Sequence, residues 1–347
     1  MPGFLDVHVH LREPGFSYKE TIATGTTAAA AGGFVAVCAM PNLSPVPDSL
    51  PHLREELTAI ERGARVKVVP YGAITVGEKG EVLSDMEGIT PYVCAFSDDG
   101  HGVQREDIMR AAMEKAKTLG KLICAHCEDE SAGDARESEW RHVERDLRLA
   151  QETGCKYHVC HVSTRESVSL IREAKKDGVD VSCETCPQYI LLTDADRADS
   201  GRYRMNPPLQ DEGDSRAIIE GLADGTIDII ATDHAPHSAE EKGRGFQKSV
   251  NGIVGLETAF PLLYTHLVRE GVLPLERLVH LIHGAPCARF GIVLPEEENY
   301  TVFDLSAEYD ISPATFLSMG KSTPFEGMRV FGRCVRTVAN GIQVFGA

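Results

Sequence analysis

Residues 4–12 read Phe4-Leu5-Asp6-Val7-His8-Val9-His10-Leu11-Arg12, and apolar side chains alternate in this stretch with polar ones. The alternation predicts a β-strand, in which every second side chain leaves the same face. The imidazoles of His8 and His10 therefore share one face, and Arg12 follows them if the strand continues. Two such histidines can bind one metal ion, since neutral imidazole is a common zinc ligand. The alternative is an ordinary polar strand face, and further ligands along the chain decide between the two.

The composition is that of a globular protein with one large domain or two. The chain has 347 residues, 42% hydrophobic and 25% charged, and no low-complexity tract. Its formal net charge of −17 argues against nucleic acid and anionic membranes as partners, because both attract basic patches. No apolar run reaches the ~18–20 residues of a spanning helix and no export signal is visible, so we expect a cytoplasmic protein.

The ten cysteines are expected to be reduced thiols, as is usual in the cytosol. Cys183 and Cys186 have the C-x-x-C spacing of redox and metal sites. No second pair at zinc-finger distance accompanies them. We therefore interpret this pair as structural.

Strand-like and helix-like segments alternate eight times in the first 292 residues. The predicted strands end near residues 12, 40, 74, 96, 125, 160, 183 and 231, and the predicted helices include residues 17–31, 48–62, 106–119, 139–153, 256–269 and 275–282. This order favours a parallel (β/α)8 TIM barrel, which typically takes about 250 residues plus insertions. In the tail, residues 300–305 and 329–345 predict antiparallel strands with an Asn340-Gly341 hairpin turn. We predict a barrel domain over residues 1–292 and a small C-terminal β appendage over residues 293–347.

Side chains that can bind metals stand at the C-terminal ends of the predicted strands. They are His8, His10, Asp99, His126, His161 and Asp233. In a barrel these ends converge on one mouth, where the active sites of this fold are built. Six nitrogen and oxygen ligands can hold two divalent ions with one carboxylate between them, and water shared by such a pair ionises near neutral pH. The alternative, solvated or capping side chains, explains any one residue more easily than all six.

The segments around these residues resemble the type I dihydroorotase family of the amidohydrolase superfamily. The segments are Asp6 to Gly15, Met40 to Asn42, Ser97 to Gly100, Ala125 to Asp129, Cys160 to Thr164, Met205 to Leu209 and Ala231 to His237. The resemblance spans the barrel and continues to Thr323-Pro324-Phe325. It implies a zinc-dependent cyclic amidohydrolase that converts N-carbamoyl-L-aspartate reversibly to (S)-dihydroorotate with release of water, in pyrimidine biosynthesis.

The resemblance also implies roles for individual residues. The zinc ligands would be His8, His10 and Asp233 on one ion, and His126 and His161 on the other, with Asp99 bridging. Asp98 is the alternative bridge, since adjacent residues of a strand face opposite ways. Two Zn²⁺ per subunit are expected, or one if the aspartate bridge holds the second weakly. Asp233 would also move a proton between a zinc-activated bridging hydroxide and the leaving nitrogen.

The substrate carboxylate needs cations and hydrogen-bond donors, and a guanidinium such as that of Arg12 offers a bidentate fork. The substrate contacts that the resemblance implies are His10, Arg12, Asn42, Asn206, His237, Asn251 and Gly252.

Four features depart from the family pattern. About fifty residues normally precede the His-x-His strand, so we expect either a misassigned gene start or a partial β-sandwich. A partial β-sandwich would leave an unpaired sheet edge, and we would then expect poor solubility or association through that edge. A stable monomer would contradict this expectation. Residues 129–144 form a shorter stretch than is usual. Val250-Asn251-Gly252 stands where Pro-Phe-Gly is common, with the glycine retained, and Glu184 to Tyr189 looks more like hydantoinases and allantoinases.

Two alternatives therefore stay open. One is a hydantoinase, dihydropyrimidinase or allantoinase type of cyclic amidohydrolase, which a substrate panel would identify. The other is a non-catalytic relative that scaffolds aspartate transcarbamoylase; degraded ligands would be typical of it, and all six ligands are present here. Besides the small-molecule substrate, the partners considered are a second copy of the chain and aspartate transcarbamoylase.

Overall fold

A computed structural model describes residues 1–133 and 135–346, and it contains a closed parallel barrel. The barrel strands are β1 Phe4–Val9, β2 Phe34–Ala39, β3 Lys67–Pro70, β4 Gly72–Ala73, β5 Phe96–Ser97, β6 Ile123–Ala125, β7 Tyr157–Val159, β8 Val181–Thr185 and β9 Ile229–Ile230. They pair in parallel in the orders β1-β2-β3 and β4 to β9. The barrel closes where Val9 pairs with His234, and the His10 backbone N–H donates to the His234 carbonyl at 2.8 Å. The predicted TIM barrel is confirmed.

The third predicted strand, residues 66–74, is interrupted at Tyr71. The Tyr71 N–H donates to the Ala39 carbonyl of β2 at 2.9 Å, whereas the Gly72 N–H donates to the Ala95 carbonyl at 3.0 Å. The chain therefore changes its partner at one residue, and β3 and β4 together fill one position of the eight. The buried Tyr71 hydroxyl donates to the Val7 carbonyl at 2.9 Å inside the barrel, which accounts for the break.

Helices surround the barrel. Their bounds are α1 Ile22–Ala31, α2 Leu50–Gly63, α3 Met86–Ile89, α4 Glu106–Thr118, α5 Ala135–Thr153, α6 Arg165–Lys176, α7 Pro187–Leu191, α8 Glu212–Asp224, α9 Ala239–Lys242, α10 Gly245–Lys248, α11 Ala259–Leu263, α12 Leu275–Val279 and α13 Ala285–Phe290. Wider π-helical turns, Tyr264–Val268 and His280–Gly284, continue α11 and α12. In the described residues, no helix has both the length and the apolar character needed to cross a membrane.

The first helix begins later than the sequence suggests. We predicted residues 17–31, but α1 starts at Ile22, because the Thr21 side chain accepts from the Thr24 N–H and caps the helix there. Residues before the cap form turns, and Lys19 Nζ lies 3.0 Å from Glu241 Oε1.

The tail forms the predicted antiparallel sheet, with strands β10 Tyr300–Asp310, β11 Arg329–Ala339 and β12 Ile342–Gly346. Its hairpin turn has φ of 51° at Asn340 and 75° at Gly341, as a two-residue turn of this kind requires. The Phe303 ring from β10 lies 5.7 Å from that of Phe4 and 4.1 Å from that of Phe260. The start of β1 is thus joined to the sheet through one aromatic cluster. The domain boundary after residue 292 stays a prediction.

Candidate metal centre and substrate pocket

Asp99 lies at the centre of the residues predicted to bind metal. Its Oδ1 is 3.3 Å from His8 Nε2, 3.7 Å from His161 Nε2 and 3.8 Å from His126 Nδ1. Its Oδ2 is 3.4 Å from His10 Nε2. One carboxylate therefore contacts histidines from β1 and histidines that follow β6 and β7. Burial alone would raise the pKa of Asp99, but the neighbouring histidines, His8 first, bring that pKa well below its usual range.

The predicted ligands fall into two groups, and the donor atoms of each group lie within 4.8 Å of one another. One group is His8, His10 and Asp233, and the other is Asp99, His126 and His161. Two of the atoms, His8 Nε2 and Asp99 Oδ1, are buried and have no hydrogen-bond partner among the described residues. Buried polar atoms are rarely left unpaired, and imidazole nitrogens beside carboxylate oxygens are a donor set that suits divalent cations. The residues fit a metal centre.

Each of three histidines has its outer ring nitrogen engaged by an acceptor. The pairs are His8 Nδ1 with Glu184 Oε1 at 2.5 Å, His10 Nδ1 with Asn42 Oδ1 at 2.9 Å, and His126 Nε2 with Glu128 Oε2 at 3.1 Å. An acceptor at the outer nitrogen keeps the proton there and directs the lone pair of the inner nitrogen to the centre. The ring orientations are therefore fixed before any cation binds.

Glu184 stays ionised inside the barrel. It is completely buried, and its second oxygen is 3.1 Å from His158 Nε2. Burial by itself raises the pKa of this carboxyl, but His8 and His158 outweigh burial and lower the pKa to about 2. A buried charge of this kind makes the His8 ring a stronger base.

Asp98, the alternative bridge, faces away from the histidines. Its carboxylate accepts from the backbone N–H groups of Ile74 at 2.7 Å and Thr75 at 3.0 Å. Burial raises the pKa of Asp98 to about 6. It holds the turn after β4 rather than contacting the centre.

Three site residues have positive φ although they are not glycine: Arg12 at 62°, His161 at 34° and Asp233 at 49°. This region is sparsely populated for side chains with a Cβ and costs on the order of 1–3 kcal/mol per residue. All three come just after a barrel strand, where the chain turns out of the sheet. The backbone is strained at the positions that direct these side chains into the mouth.

A pocket of about 490 Å³ opens above the predicted metal ligands. Every site residue predicted from the sequence lines it except His8, which is completely buried. Ligand pockets commonly measure ~300–1,000 Å³. The pocket is therefore large enough for a small cyclic amide.

One wall of the pocket is cationic. Arg12 is 7% exposed, and its Nε donates to the Pro236 carbonyl at 3.2 Å. Arg12 Nη2 and Lys19 Nζ each lie 3.2 Å from a different ring nitrogen of His237. Neutral imidazole has a single lone pair, so only one of these contacts is a hydrogen bond. Burial, followed by the charges of Arg12 and Lys19, lowers the pKa of His237 to about 2, and the ring stays neutral.

Asn206 and the segment 250–252 form another part of the pocket wall, in which Gly252 lies beside His237. Asn206 Nδ2 donates to Glu128 Oε2 at 2.9 Å, and no described residue donates a hydrogen bond to its carbonyl oxygen. Gly252 has a φ of 126°, and a Cβ there would lie 2.7 Å from the Ala235 carbonyl oxygen and 2.9 Å from His237 Nε2. Only glycine fits this position. Asn251 is exposed at the rim.

Several residues that support the site were not predicted from the sequence. Glu184 and Glu128 hold metal-site histidines, and Glu139 accepts from the backbone N–H groups of Ser163 at 3.1 Å and Thr164 at 3.0 Å, just after His161. Glu184 had a visible signal, because it is an acidic residue near the end of a predicted strand. Glu128 lies only two residues after His126, so its position beside a predicted ligand was also visible. Glu139 had no signal, since its partners Ser163 and Thr164 are far away in the sequence. Cys183 and Cys186, by contrast, are buried free thiols.

A second buried group, Cys127, His142 and Asp146, also has donors within 4.8 Å of one another. Arg145 Nη2 lies 2.7 Å from Asp146 Oδ1 and 2.6 Å from His142 Nε2. A guanidinium already supplies the positive charge at this group, so it does not present a second metal site.

Comparisons with known proteins agree with the resemblance. A family model described as Dihydro-orotase-like matches residues 1–139. Proteins named dihydroorotase from Bacillus cereus (strain ATCC 14579) and Geobacillus thermodenitrificans (strain NG80-2) are 46% and 47% identical, and the alignments cover 98% and 99% of this chain and 85% and 86% of theirs. The chain belongs to the dihydroorotase family.

Solved structures of related enzymes share the fold. An L-hydantoinase (dihydropyrimidinase) from Arthrobacter aurescens is 26% identical with a TM-score of 0.86, covering 100% of this chain and 88% of that one. A dihydropyrimidinase from Brevibacillus agri NCHU1002 is 24% identical with a TM-score of 0.86, covering 100% and 84%. This chain therefore shares its fold with these solved structures, while its sequence identity to the proteins named dihydroorotase is much higher.

Proposed function

We propose that the protein is a dihydroorotase, which interconverts N-carbamoyl-L-aspartate and (S)-dihydroorotate in pyrimidine biosynthesis. The observation that carries the proposal is the buried Arg12 guanidinium in the wall of a pocket that lies over a six-residue His and Asp donor set. The substrate has a carboxylate and a cyclic amide, and the pocket offers a cation for the first and metal donors for the second. The identity of 46–47% to proteins named dihydroorotase supports the same function.

We propose that the metal is zinc, with two ions per chain. His8, His10 and Asp233 would hold one ion, and His126 and His161 the other, with Asp99 contacting both. When bound, such ions lower the pKa of a shared water towards ~7 and polarise a carbonyl. The protein's contribution is to hold the inner ring nitrogens in place through Glu184, Asn42 and Glu128.

Several side chains in the pocket walls match the substrate. Arg12 offers its fork to the carboxylate, with the guanidinium held through Nε by the Pro236 carbonyl. His237 is neutral and lies beside that fork. The carbonyl oxygen of the Asn42 side chain contacts His10, so its N–H group can donate to the ureido atoms of the substrate. The N–H group of the Asn206 side chain donates to Glu128, so its carbonyl oxygen can accept from them. Asn251 and Gly252 would add contacts from the rim.

Asp233 is proposed to move the proton. In the hydrolytic direction it takes a proton from the attacking water and delivers it to the leaving nitrogen, and cyclisation reverses these steps. Its Oδ1 lies 3.2 Å from His10 Nε2 and 3.5 Å from His8 Nε2, so the carboxylate is turned towards the proposed metal ligands, which supports this role.

The test is dihydroorotate hydrolysis with zinc titration on the wild type and Asp233→Asn. We expect turnover to fall about 10²–10⁴-fold, the usual contribution of a general acid–base group. Asp107→Asn, an exposed aspartate of α4, serves as the control and keeps wild-type turnover. Metal content is measured in parallel, because Asp233 is also a proposed ligand. Unchanged turnover in Asp233→Asn would rule out the proton role.

A substrate panel separates the alternatives. Turnover of hydantoin or allantoin without turnover of dihydroorotate would favour the hydantoinase type. Absence of both bound metal and turnover would favour a non-catalytic scaffold. The zinc stoichiometry, the cytoplasmic location, the homodimer and the contact with aspartate transcarbamoylase stay predictions.

A further inference from the structure

Lys242 is a buried lysine without a carboxylate partner. It is the last residue of α9, its exposed fraction is 8%, and none of the ion pairs formed by the described residues includes it. Burial lowers the pKa of Lys242 to about 7. A lysine in such surroundings is costly, and buried lysines are usually paired. Its role must therefore lie in the hydrogen bonds that it makes.

The Lys242 ammonium donates to three backbone carbonyls. They belong to Arg204 at 3.0 Å, Val250 at 2.9 Å and Gly252 at 2.6 Å. An ammonium group has three N–H donors, so all of them are used. Two of these carbonyls flank Asn251, and the third lies two residues before Asn206.

The two segments, 204–206 and 250–252, are also joined directly. The Gly252 N–H donates to the Arg204 carbonyl at 3.0 Å, the same oxygen that accepts from Lys242. The Ser249 hydroxyl donates to the Lys242 carbonyl at 3.0 Å and fixes the end of α9 against the second segment. Lys242 is therefore the point at which both segments of this pocket wall meet.

Segment 250–252 has little room to move. Gly252 adopts a φ of 126° and approaches His237 so closely that no Cβ fits. Without the ammonium, the Val250 and Gly252 carbonyls would lose their donor, and the Arg204 carbonyl would keep only the Gly252 N–H, so the segments would shift to find other partners. A shift of about 1 Å in a positioning group can cost on the order of 10²-fold in catalytic efficiency.

We propose that Lys242 is a positioning residue for substrate binding, which clamps segments 204–206 and 250–252 so that Asn206, Asn251 and Gly252 face the substrate. It touches neither the substrate nor the metal ligands. The proposal rests on the proposed function, because these three residues are substrate contacts only if that function is correct.

The test compares Lys242→Met, which keeps the chain length but removes every donor, with Lys248→Met, an exposed lysine of the neighbouring α10. We expect KM for dihydroorotate to rise about 10-fold or more in Lys242→Met, with kcat changed less than about 3-fold and metal content unchanged. Lys248→Met should match the wild type in all three. A general loss of structure would instead lower kcat and metal content.

Hydrogen exchange supplies a readout that does not depend on turnover. In Lys242→Met the amides of residues 201–206 and 249–254 should exchange faster, while those of β1 and β6 keep their protection. If the wild type fails to turn over dihydroorotate, the proposed function fails, yet this comparison still tests the clamp. A folded Lys242→Met with wild-type KM and wild-type exchange would overturn the inference.

A second variant covers poor folding of Lys242→Met. Lys242 lines a surface groove with Ser200, Arg202 and Ser238, so Lys242→Ala opens a space that a small ammonium can enter. Propylammonium should lower KM of Lys242→Ala towards the wild-type value, and propanol should not. Lack of rescue in the folded variant, or failure of both variants to fold, rejects the positioning role.

Discussion

Glu184 is predicted to strengthen metal binding through His8, and Glu184→Gln tests this with little change in shape. The amide keeps an acceptor for His8 Nδ1, which lies 2.5 Å from Glu184 Oε1, and loses the negative charge. The pKa of Glu184 falls from 4.5 to about 2, which corresponds to roughly 3 kcal/mol in favour of the charged form. Removing a carboxylate behind a metal-binding histidine typically weakens metal binding about 10–100-fold, or ~1.4–2.7 kcal/mol.

The assay is zinc competition against a chelator of known affinity, followed by turnover at saturating zinc. We expect Glu184→Gln to bind zinc about 10–100-fold more weakly and to recover much of its turnover when zinc is raised. The control is Glu56→Gln in α2, because Glu56 is also buried but burial raises its pKa instead of lowering it. Wild-type zinc affinity in Glu184→Gln would refute the role assigned to this carboxylate. The same affinity loss in Glu56→Gln would show that the effect is not specific.

Three further predictions concern the metal, the pocket wall and pH. Removing zinc with a chelator should lower the melting temperature, because saturation at 100 times Kd stabilises a protein by about 2.7 kcal/mol; an unchanged calorimetric scan would contradict metal binding. Gly252→Ala should lower kcat/KM by about 10²-fold, since the new Cβ would lie 2.9 Å from His237 Nε2. The control is Gly120→Ala, which tests backbone strain alone, because Gly120 also has a positive φ of 69° but its new Cβ would have no atom within 4 Å. Burial raises the pKa of Glu257 from 4.5 to about 7. The protonated carboxyl therefore contributes roughly 3 kcal/mol to the free energy of unfolding below pH 4.5, and this contribution is lost as pH rises through 7. Glu257→Gln should therefore melt above the wild type at pH 8 and close to it at pH 4.5; equal melting temperatures at both would contradict the raised pKa.

Much of the fold was predictable because its signals are local. The alternation of strands and helices follows from hydrophobic periodicity and glycine stops, and the Asn340-Gly341 turn follows from the φ values that these residues tolerate. The errors were local as well. The early start predicted for α1 overlooked the Thr21 cap, and the unbroken third strand overlooked the hydrogen bond that holds Tyr71 inside the barrel.

The candidate site was predictable only in part. The residues that converge around Asp99 could be chosen because a barrel brings the ends of its strands to one mouth. The residues that contact these ligands from behind could not be chosen in this way. His8 and Glu184 are 176 residues apart, and Asn206 and Glu128 are 78 apart, so neither pairing leaves a spacing signal.

The sequence by itself determined the donor chemistry of residues 4–12, with two imidazoles on one face of a strand and a guanidinium after them. A period of two is a property of extended backbone and needs no partner. Only the tertiary structure decided which nitrogen of each imidazole faces the centre, because that depends on Glu184 and Asn42. It also decided that Arg12 lies in the cationic wall beside His237, because the backbone turns at a φ of 62° only where the surrounding barrel holds it.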